Sequence, residues 1–512
     1  MQGSSDQNLE LLDAGVLVGH LVDDGSVYGF LAQHRRRLFP DDMFADLFPS
    51  QRGRPSVPAD VVATVMVLQS LEGLSDRDAV DALVTNLKWK VACGVSLTDE
   101  GFHPTVLTLW RNRLRVSDSP ERIFDAVRQV VADTGVLSNR TRRALDSTLL
   151  DDAVATQDTV TQLVSVIRRT RKAIPAAAGV DVSAHDYEAG GKPSCAWDDP
   201  DARDELVTAL VNDALAILEA VDGLVLDGDQ AARVGLLALV AGQDVEEGDE
   251  EGTWRITRRV AKDRVISTVD PEARHMRKSR ASYRDGYKAH IAIEPATGII
   301  TDCELTPANA PDGPVGVDLL TNEDAGLTVL ADSAYGSGPV RADLADAEHT
   351  ALVKPIPVRR NPRLGDDQYA RDDFTINYDE RTVTCPNQIT VSINAAGEAK
   401  FRKRCNDCPV RDRCTTAVQG RVFTVGNHDQ LLAQARTQWR DSEDDVAEYR
   451  QYRPMVERSI SWIVANGHRR VRYRGVERNH IALTVRAAAI NLRRLVNLGV
   501  AWNPDGWTLH PG

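Results

Sequence analysis

The sequence predicts an α/β protein: a mixed sheet flanked by helices, with a helical region ahead of it and a small cysteine-rich insertion within it. Three observations carry this expectation. Residues 1 to about 130 read as short helices without a strand pattern. Beyond residue 140, short apolar strands alternate with helical stretches. Between residues 365 and 425, four of the seven cysteines crowd into one segment.

At 512 residues the chain exceeds one ordinary core and suggests two to four domains. Hydrophobic residues make up 42% and charged residues 27%, the proportions of a globular protein. No apolar run reaches the ~18 residues of a membrane span. Residues 1–10 are polar and acidic, unlike a signal peptide. A cytoplasmic protein with no membrane partner is expected.

Taken in order, Ser56 and Pro58 open an apolar run through residue 72, a helix-start signal. Residues 74–78 begin a second helix, expected to run towards Trp89. Residues 105–115 form a third, and Trp110, Arg111, Arg113 and Arg115 give it a basic side. Short helices joined by glycine-containing turns resemble a helix-turn-helix, as any small helical bundle does. Residues 143–150 are then an apolar strand with Asp146 near its middle. Residues 159–173 and 203–224 read as helices, and 242–252 as an acidic loop. Residues 287–294 and 299–305 are strands joined by the turn 295–298, hence a hairpin. Residues 315–320 read as helical. Residues 327–331 form a buried strand that ends at Asp332, and 349–354 form another. A long helix over 443–466, a basic stretch over 468–478 and a helix over 480–498 complete the pattern.

The net charge of −14 speaks against simple nucleic-acid binding, but its distribution matters more than its sum. Of 61 basic residues only 10 are lysine, and arginine is the better bidentate phosphate ligand. Basic clusters stand at 35–37, 140–143, 255–264, 274–288, 354–363, 402–413 and 469–478; acid concentrates at 198–205 and 244–251. One such cluster is an ordinary solvated face. Seven, several of them beside the candidate acids, point to a polyanionic partner.

Those acids are Asp146, Asp332 and Glu457. A carboxylate inside an apolar strand is costly unless paired or metal-bound. Asp332 follows the end of a strand, where open sheets place their sites. Glu457 lies on the late helix, flanked by Arg453 and Arg458. Two Asp and one Glu could together hold divalent cations, which prefer oxygen ligands, and paired metals cleave phosphodiesters. Cys385, Cys405, Cys408 and Cys414 read as a four-thiolate zinc site or as free thiols, with Lys400, Arg402, Lys403, Arg404, Arg411 and Arg413 around them. Cys93, Cys195 and Cys303 are isolated packing residues. His275, His290 and His468 lie near basic segments, as surface or phosphate-contact residues. Residues 283–288 mix aromatic and basic side chains, as nucleic-acid surfaces and plain strand entries both do.

The ordered set of motifs is more specific than any one of them. Leu145-Asp146-Ser147-Thr148, then Gly286-Tyr287-Lys288-Ala289-His290 through Gly298-Ile299-Ile300 and Thr306-Pro307-Ala308-Asn309, then Ala331-Asp332-Ser333-Ala334-Tyr335-Gly336, follow one another. Arg453-Pro454-Met455-Val456-Glu457, the stretch from Arg469 to Gly475, and Ala487-Ala488-Ala489-Ile490-Asn491-Leu492 close the series. From about residue 30 to 498 the chain resembles bacterial insertion-sequence DDE transposases, in particular a subgroup with a cysteine cluster before the catalytic Glu. The family's usual Tyr and Lys near that Glu fall here on Arg450 and Val464, with Tyr449 or Tyr452 and Arg469 or Arg470 as substitutes. Glu448 and Glu443 are alternatives to Glu457 on the same helix.

The resemblance implies a ribonuclease-H-like core over 140–360 and 430–500, a helical insertion over 151–262, a cysteine-rich insertion over 365–425 and an N-terminal DNA-binding domain over 1–130. It implies DNA cleavage and strand transfer with Mg²⁺ or Mn²⁺ held by Asp146, Asp332 and Glu457. The expected DNA contacts are Arg453, Arg458, Lys288, Arg469, Arg470, Arg472 and Arg474; Arg453 has a salt bridge on its own helix as the rival role. Expected partners are double-stranded element ends and target DNA, bound by a homodimer. The rival functions are a non-catalytic DNA-binding protein derived from a transposase and a plain metal-dependent nuclease.

Overall fold

A computed structural model describes residues 1–5, 12–50, 52–258, 261, 263–279 and 282–509. Arg259, Lys262 and Arg280, members of two of the basic clusters, lie outside the described residues.

The N-terminal region is helical: α1 (Val27–Leu38), α2 (Ala59–Glu72), α3 (Asp76–Thr85), α4 (Leu87–Cys93), α5 (Thr105–Arg115) and α6 (Arg122–Asp133). Ser75 and Asp78 start α3 with a reciprocal capping box. The single helix expected to run on to Trp89 is divided at Asn86, whose backbone is extended (φ −95°, ψ 116°). Its side chain accepts from the Lys88 N–H and caps α4, so one residue ends a helix and begins the next.

Six strands form a mixed sheet: β1 (Arg142–Asp151), β2 (Arg274–Ser279), β3 (Ser282–Glu294), β4 (Ile299–Pro307), β5 (Thr328–Ala331) and β6 (Thr350–Val353). The order across it is β4-β3-β1-β5-β6, with β2 paired to the first part of β3. β3 is antiparallel to β1 and β4, whereas β5 is parallel to β1 and β6 to β5. β2 and the start of β3 carry basic and polar residues, so their pairing leaves no apolar alternation to read. Leu145, Ala292, Val329 and Ala331 face one side. There α10 (Asp312–Asp318) and α11 (Gly338–Asp346) cover them. Ala144, Ile291 and Leu330 face the other side, under α12 (Glu443–Val464) and α13 (Val476–Asn497).

Between β1 and β2 lie α7 (Thr159–Ala173), α8 (Pro200–Val221) and α9 (Gly228–Gln243), which bury Leu163, Ile167, Leu210, Ile217 and Leu237 in a core of their own. (α7 to α9 precede α10 in the chain.) The cysteine-rich segment folds as a three-stranded and a two-stranded sheet around Phe374, Phe401 and Phe423. Residues 500–509 form a terminal hairpin that no sequence pattern announced.

The N-terminal helices share one apolar cluster with the sheet, α12 and α13. Helix α2 is the centre of that junction and is buried from Ala59 to Ser70. A helix end in such a place leaves carbonyls without partners. Here they are met from the segment after α12: Asn466 Nδ2 donates to Leu71 O at 2.9 Å, His468 Nε2 to Ser70 O at 2.9 Å, and Arg472 Nη2 to Gly73 O at 2.6 Å. Arg486 donates to Ser70 O and, at 3.1 Å, to Leu71 O. Two guanidinium groups thus sit at the negative end of the helix dipole. Burial, with Arg486 and Arg472 beside it, pushes His468 down to about 4, so it serves as a neutral donor.

Gly73 ends α2 in the left-handed region (φ 76°), and a Cβ there would lie 2.0 Å from Asn466 O. Gly73→Ala should therefore cost about 3 kcal/mol, from backbone strain plus displacement of the clamp. Urea denaturation measures this; a loss below about 1 kcal/mol would show that the junction yields without the clamp.

Candidate functional site

Parallel pairing fixes the first two acids. Ala144 of β1 is in register with Leu330 of β5. Two residues further on stand Asp146, within β1, and Asp332, just past the end of β5, near enough that the Asp332 charge acts on the Asp146 carboxyl. Asp146 stays in β1, and its side chain is 18% exposed. Its Oδ1 accepts from the Ser147 N–H at 2.8 Å and its Oδ2 from Arg453 Nη2 at 3.0 Å. Asp332 leaves the sheet and turns back, its Oδ1 accepting from the Ala334 N–H at 2.8 Å to start the turn Ser333–Tyr335.

Helix α12 crosses this edge. Arg453 is buried on it and pairs mainly with Asp146; Glu457, one turn on, lies 4.0 Å from Arg453 and is 69% exposed. The salt bridge on its own helix is thus the weaker of Arg453's two contacts. Arg453 Nε and Nη1 are buried without a hydrogen-bond partner among the described residues. Burial raises the Asp146 carboxyl above the ordinary aspartate range; Arg453 opposes the rise and Asp332 adds to it. Burial also raises the Tyr449 phenol, which stands one turn before Arg453 within the fields of Arg453, Asp332 and Asp146. Tyr452 instead lies under the Arg142 guanidinium, 4.5 Å from the ring centre. Of the two tyrosines considered, Tyr449 faces the acids. Glu448 is spent on Arg142, and Glu443 begins the helix. Two neighbouring carboxylates, one within β1 and one just past the end of β5, fit a hard divalent cation, which takes oxygen ligands. Among the described residues, no three His, Cys, Asp or Glu side chains are drawn into a ligand cluster.

Several expected DNA contacts serve the interior. Lys288 is the clearest correction: it is 3% exposed, and its Nζ lies 3.1 Å from Asp312 Oδ1 and donates to Ala310 O at 2.6 Å. An ammonium so enclosed needs its counter-ion, which the chain supplies 24 residues away. Arg469 donates to Thr148 Oγ1 and Leu149 O at 2.8 and 2.9 Å, and Arg470 to Asp152 O at 2.9 Å. With Arg472 on α2, these arginines join the segment after α12 to β1 and the N-terminal helices. Arg458 and Arg474 are exposed. The basic side expected of α5 is likewise occupied: Arg111 pairs with Asp76, Arg115 with Glu477, and Arg113 lies over Phe48. His290 is buried and pushed down to about 4, not a surface residue.

The four cysteines are unbridged and line one small cavity with Phe374 and Phe401. Burial raises the Cys414 thiol, Arg421 opposes the rise, and the other three sulfurs add to it. Four thiolates in one place would repel one another, a donor set suited to a soft divalent cation. The sulfurs are nonetheless not gathered to ligand geometry. Sequence reading did not single out Asp312 or the Ser147 hydroxyl, which bond to each other beside Asp146; Asp312 follows the quoted Thr306–Asn309 motif by three positions, and that motif was the available signal.

Residues 257–492 match the family described as Transposase DDE domain, and residues 23–113 match Transposase domain (DUF772). Asp332 and Glu457 lie within the first match, and Asp146 precedes it. No curated protein and no solved structure matches the chain. The two matches together cover more than half of the chain, in the order in which the fold uses them. It belongs to the insertion-sequence DDE transposases, and its mixed sheet fits a ribonuclease-H-like DDE domain.

The Arg453–Asp146 pair can be tested apart from activity. Arg453→Met in the metal-free protein should cost about 2 kcal/mol, below the 3–5 of a fully enclosed pair because Asp146 retains some solvent. Adding Asp146→Asn should recover part of that loss. Strictly additive losses in urea denaturation would show that the pair contributes nothing.

Proposed function

We propose that this member of the DDE transposase family cuts and joins phosphodiester bonds at the ends of an insertion sequence, with Asp146, Asp332 and Glu457 as its acidic triad. The observation that carries the reading is the nearness of Asp146, within β1, to Asp332, just past the end of the neighbouring strand, beneath the helix that bears Glu457. The two aspartates would hold Mg²⁺ or Mn²⁺, with Glu457 as the third ligand. The metal, when bound, activates the attacking oxygen and carries charge on the leaving one. Water breaks a P–O bond at the element end and leaves a 3′-hydroxyl; that hydroxyl then displaces the 3′-oxygen of a target phosphodiester.

The chain's own part is to orient. Strand β1 holds Asp146, the turn after β5 holds Asp332, and Arg453 keeps Asp146 paired. With element ends bound, Arg453 Nε and Nη1, which make no hydrogen bond among the described residues, offer donors to a backbone phosphate. Arg458 and Arg474, both exposed, grip DNA, as do Arg469, Arg470 and Arg472 through donors their carbonyl bonds leave over. Two ends must be held together for joining, so the working form is a homodimer on double-stranded DNA. No helix of the described residues is long and apolar enough to cross a membrane, and the site of action is the cytoplasm, with the chromosome.

The decisive assay is cleavage and strand transfer on duplexes carrying the inverted repeats that flank the gene. Asp332→Asn and Glu457→Gln should each reduce both steps by at least about a thousandfold. Undiminished strand transfer by Asp332→Asn would sink the assignment. One observation favours a second reading, a DNA-binding protein without catalysis: Glu457 is turned towards solvent. Such a protein would bind the ends equally well without Mg²⁺ and never cut them.

Cys385, Cys405, Cys408 and Cys414 are assigned to a structural zinc. The purified protein should contain about one zinc per chain, and chelation or Cys405→Ser should lower its melting temperature by several degrees. Protein free of zinc, with an unchanged melting temperature in chelator, would leave these residues as packing thiols.

A further inference from the structure

We propose that Asp312 is a positioning residue for the acidic site, fixing the separation of Asp146 and Asp332 from the opposite face of the sheet. The proposal rests on the triad reading above. One carboxylate oxygen of Asp312 draws together two strands. Ser147 Oγ donates to Asp312 Oδ1 at 2.7 Å, and the backbone N–H of the same serine donates to Asp146 Oδ1 at 2.8 Å. Lys288 Nζ, on β3, lies 3.1 Å from that same Asp312 oxygen. On the ladder between β1 and β3, Ser147 opposes His290 and Leu149 opposes Lys288, so these side chains share one face.

The second aspartate is reached through α10, which Asp312 opens. That helix is pressed against the turn that follows Asp332. A Cβ on Gly316 would lie 2.5 Å from Tyr335 Cε1 and 3.1 Å from Leu145 Cδ1, and one on Gly313 would lie 2.4 Å from Val340 Cγ2. The helix thus packs against its neighbours too closely to admit even a Cβ at either glycine. A helix anchored to β1 through Ser147 and wedged against Tyr335 therefore sets both aspartates from one point.

The charge balance supports a fixed anchor rather than an incidental contact. His290 Nδ1 stands 3.8 Å from Asp312 and has no hydrogen-bond partner among the described residues, while its Nε2 is 2.9 Å from Thr306 Oγ1. Burial pushes this imidazole down to about 4, so it is neutral. Lys288 is then the cation that Asp312 answers, and neither can leave without stranding the other. Partners one shell out from a metal-binding carboxylate set its orientation, and their loss typically costs 10- to 100-fold in metal affinity or activity.

The test compares Asp312→Asn, Ser147→Ala and Ser147→Thr with wild type and with Asp332→Asn. Mn²⁺ affinity of the DNA-bound protein is read by electron paramagnetic resonance, alongside cleavage, duplex affinity and melting temperature. Asp312→Asn and Ser147→Ala should each weaken Mn²⁺ binding by about tenfold and slow cleavage in proportion, with duplex affinity within about twofold. Ser147→Thr, which keeps the hydroxyl, should restore wild-type Mn²⁺ binding. A merely structural role would lower the melting temperature and leave Mn²⁺ affinity per folded molecule unchanged. That result, with Asp332→Asn inactive, would overturn the proposal and spare the triad. An active Asp332→Asn would overturn the triad itself. If Asp312→Asn does not fold, the two serine variants decide: equal Mn²⁺ affinity in both refutes the coupling.

Discussion

The parallel pairing of Arg142–Ala144 with Thr328–Leu330 is the constraint on which the acidic site depends. It brings two carboxylates, 186 residues apart in the chain, near to each other, one within β1 and one just past the end of β5. Like charges so placed repel, and the cost is real where one of them is largely buried. The protein answers from both faces of the sheet. Arg453 approaches Asp146 from α12, and Asp312 takes the adjacent Ser147 from α10. Each answer places a helix, and each helix carries part of the site.

The same economy governs the arginines. A DNA-processing chain of net charge −14 was expected to spend its cations on phosphate. Many are spent on backbone carbonyls instead. Arg469 and Arg470 brace the end of β1, while Arg472 and Arg486 close the end of α2. These bonds tie the N-terminal helices to the segment directly after the Glu457 helix. Guanidinium suits this task, because its fork meets two carbonyls at once and does not lose its charge.

Much of the fold was legible beforehand. The strands around Asp146 and before Asp332 are apolar and bounded by turn residues, and their long apolar partners 287–294 and 299–305 read as a hairpin. Helix 159–173 has the bounds expected of it, and helix 443–466 ends two residues early, at Val464. Strand β2 and the first part of β3 were not found, since Arg274, His275, Arg277 and Arg284 show no alternation and are held by their pairing. The helix boundary at Asn86 was missed because an asparagine can cap as well as continue. That Glu448 pairs with Arg142, and that Tyr449 rather than Tyr452 lies near Asp146 and Asp332, follows from the rotation of α12 and could not be read beforehand.

The sequence by itself determined the class of the fold and the family, because strand hydrophobicity and ordered motifs are local properties. Only the tertiary structure decided what those residues touch. It turned Lys288 inward to Asp312, gave Arg453 to Asp146 more closely than to its own helix neighbour Glu457, and gathered four cysteines around one cavity. Charge pairing in a low-dielectric interior depends on distances of a few ångströms between segments hundreds of residues apart, and no local pattern records them. Asp312, bonded to Ser147 at 2.7 Å, makes such a contact, and sequence reading passed over it.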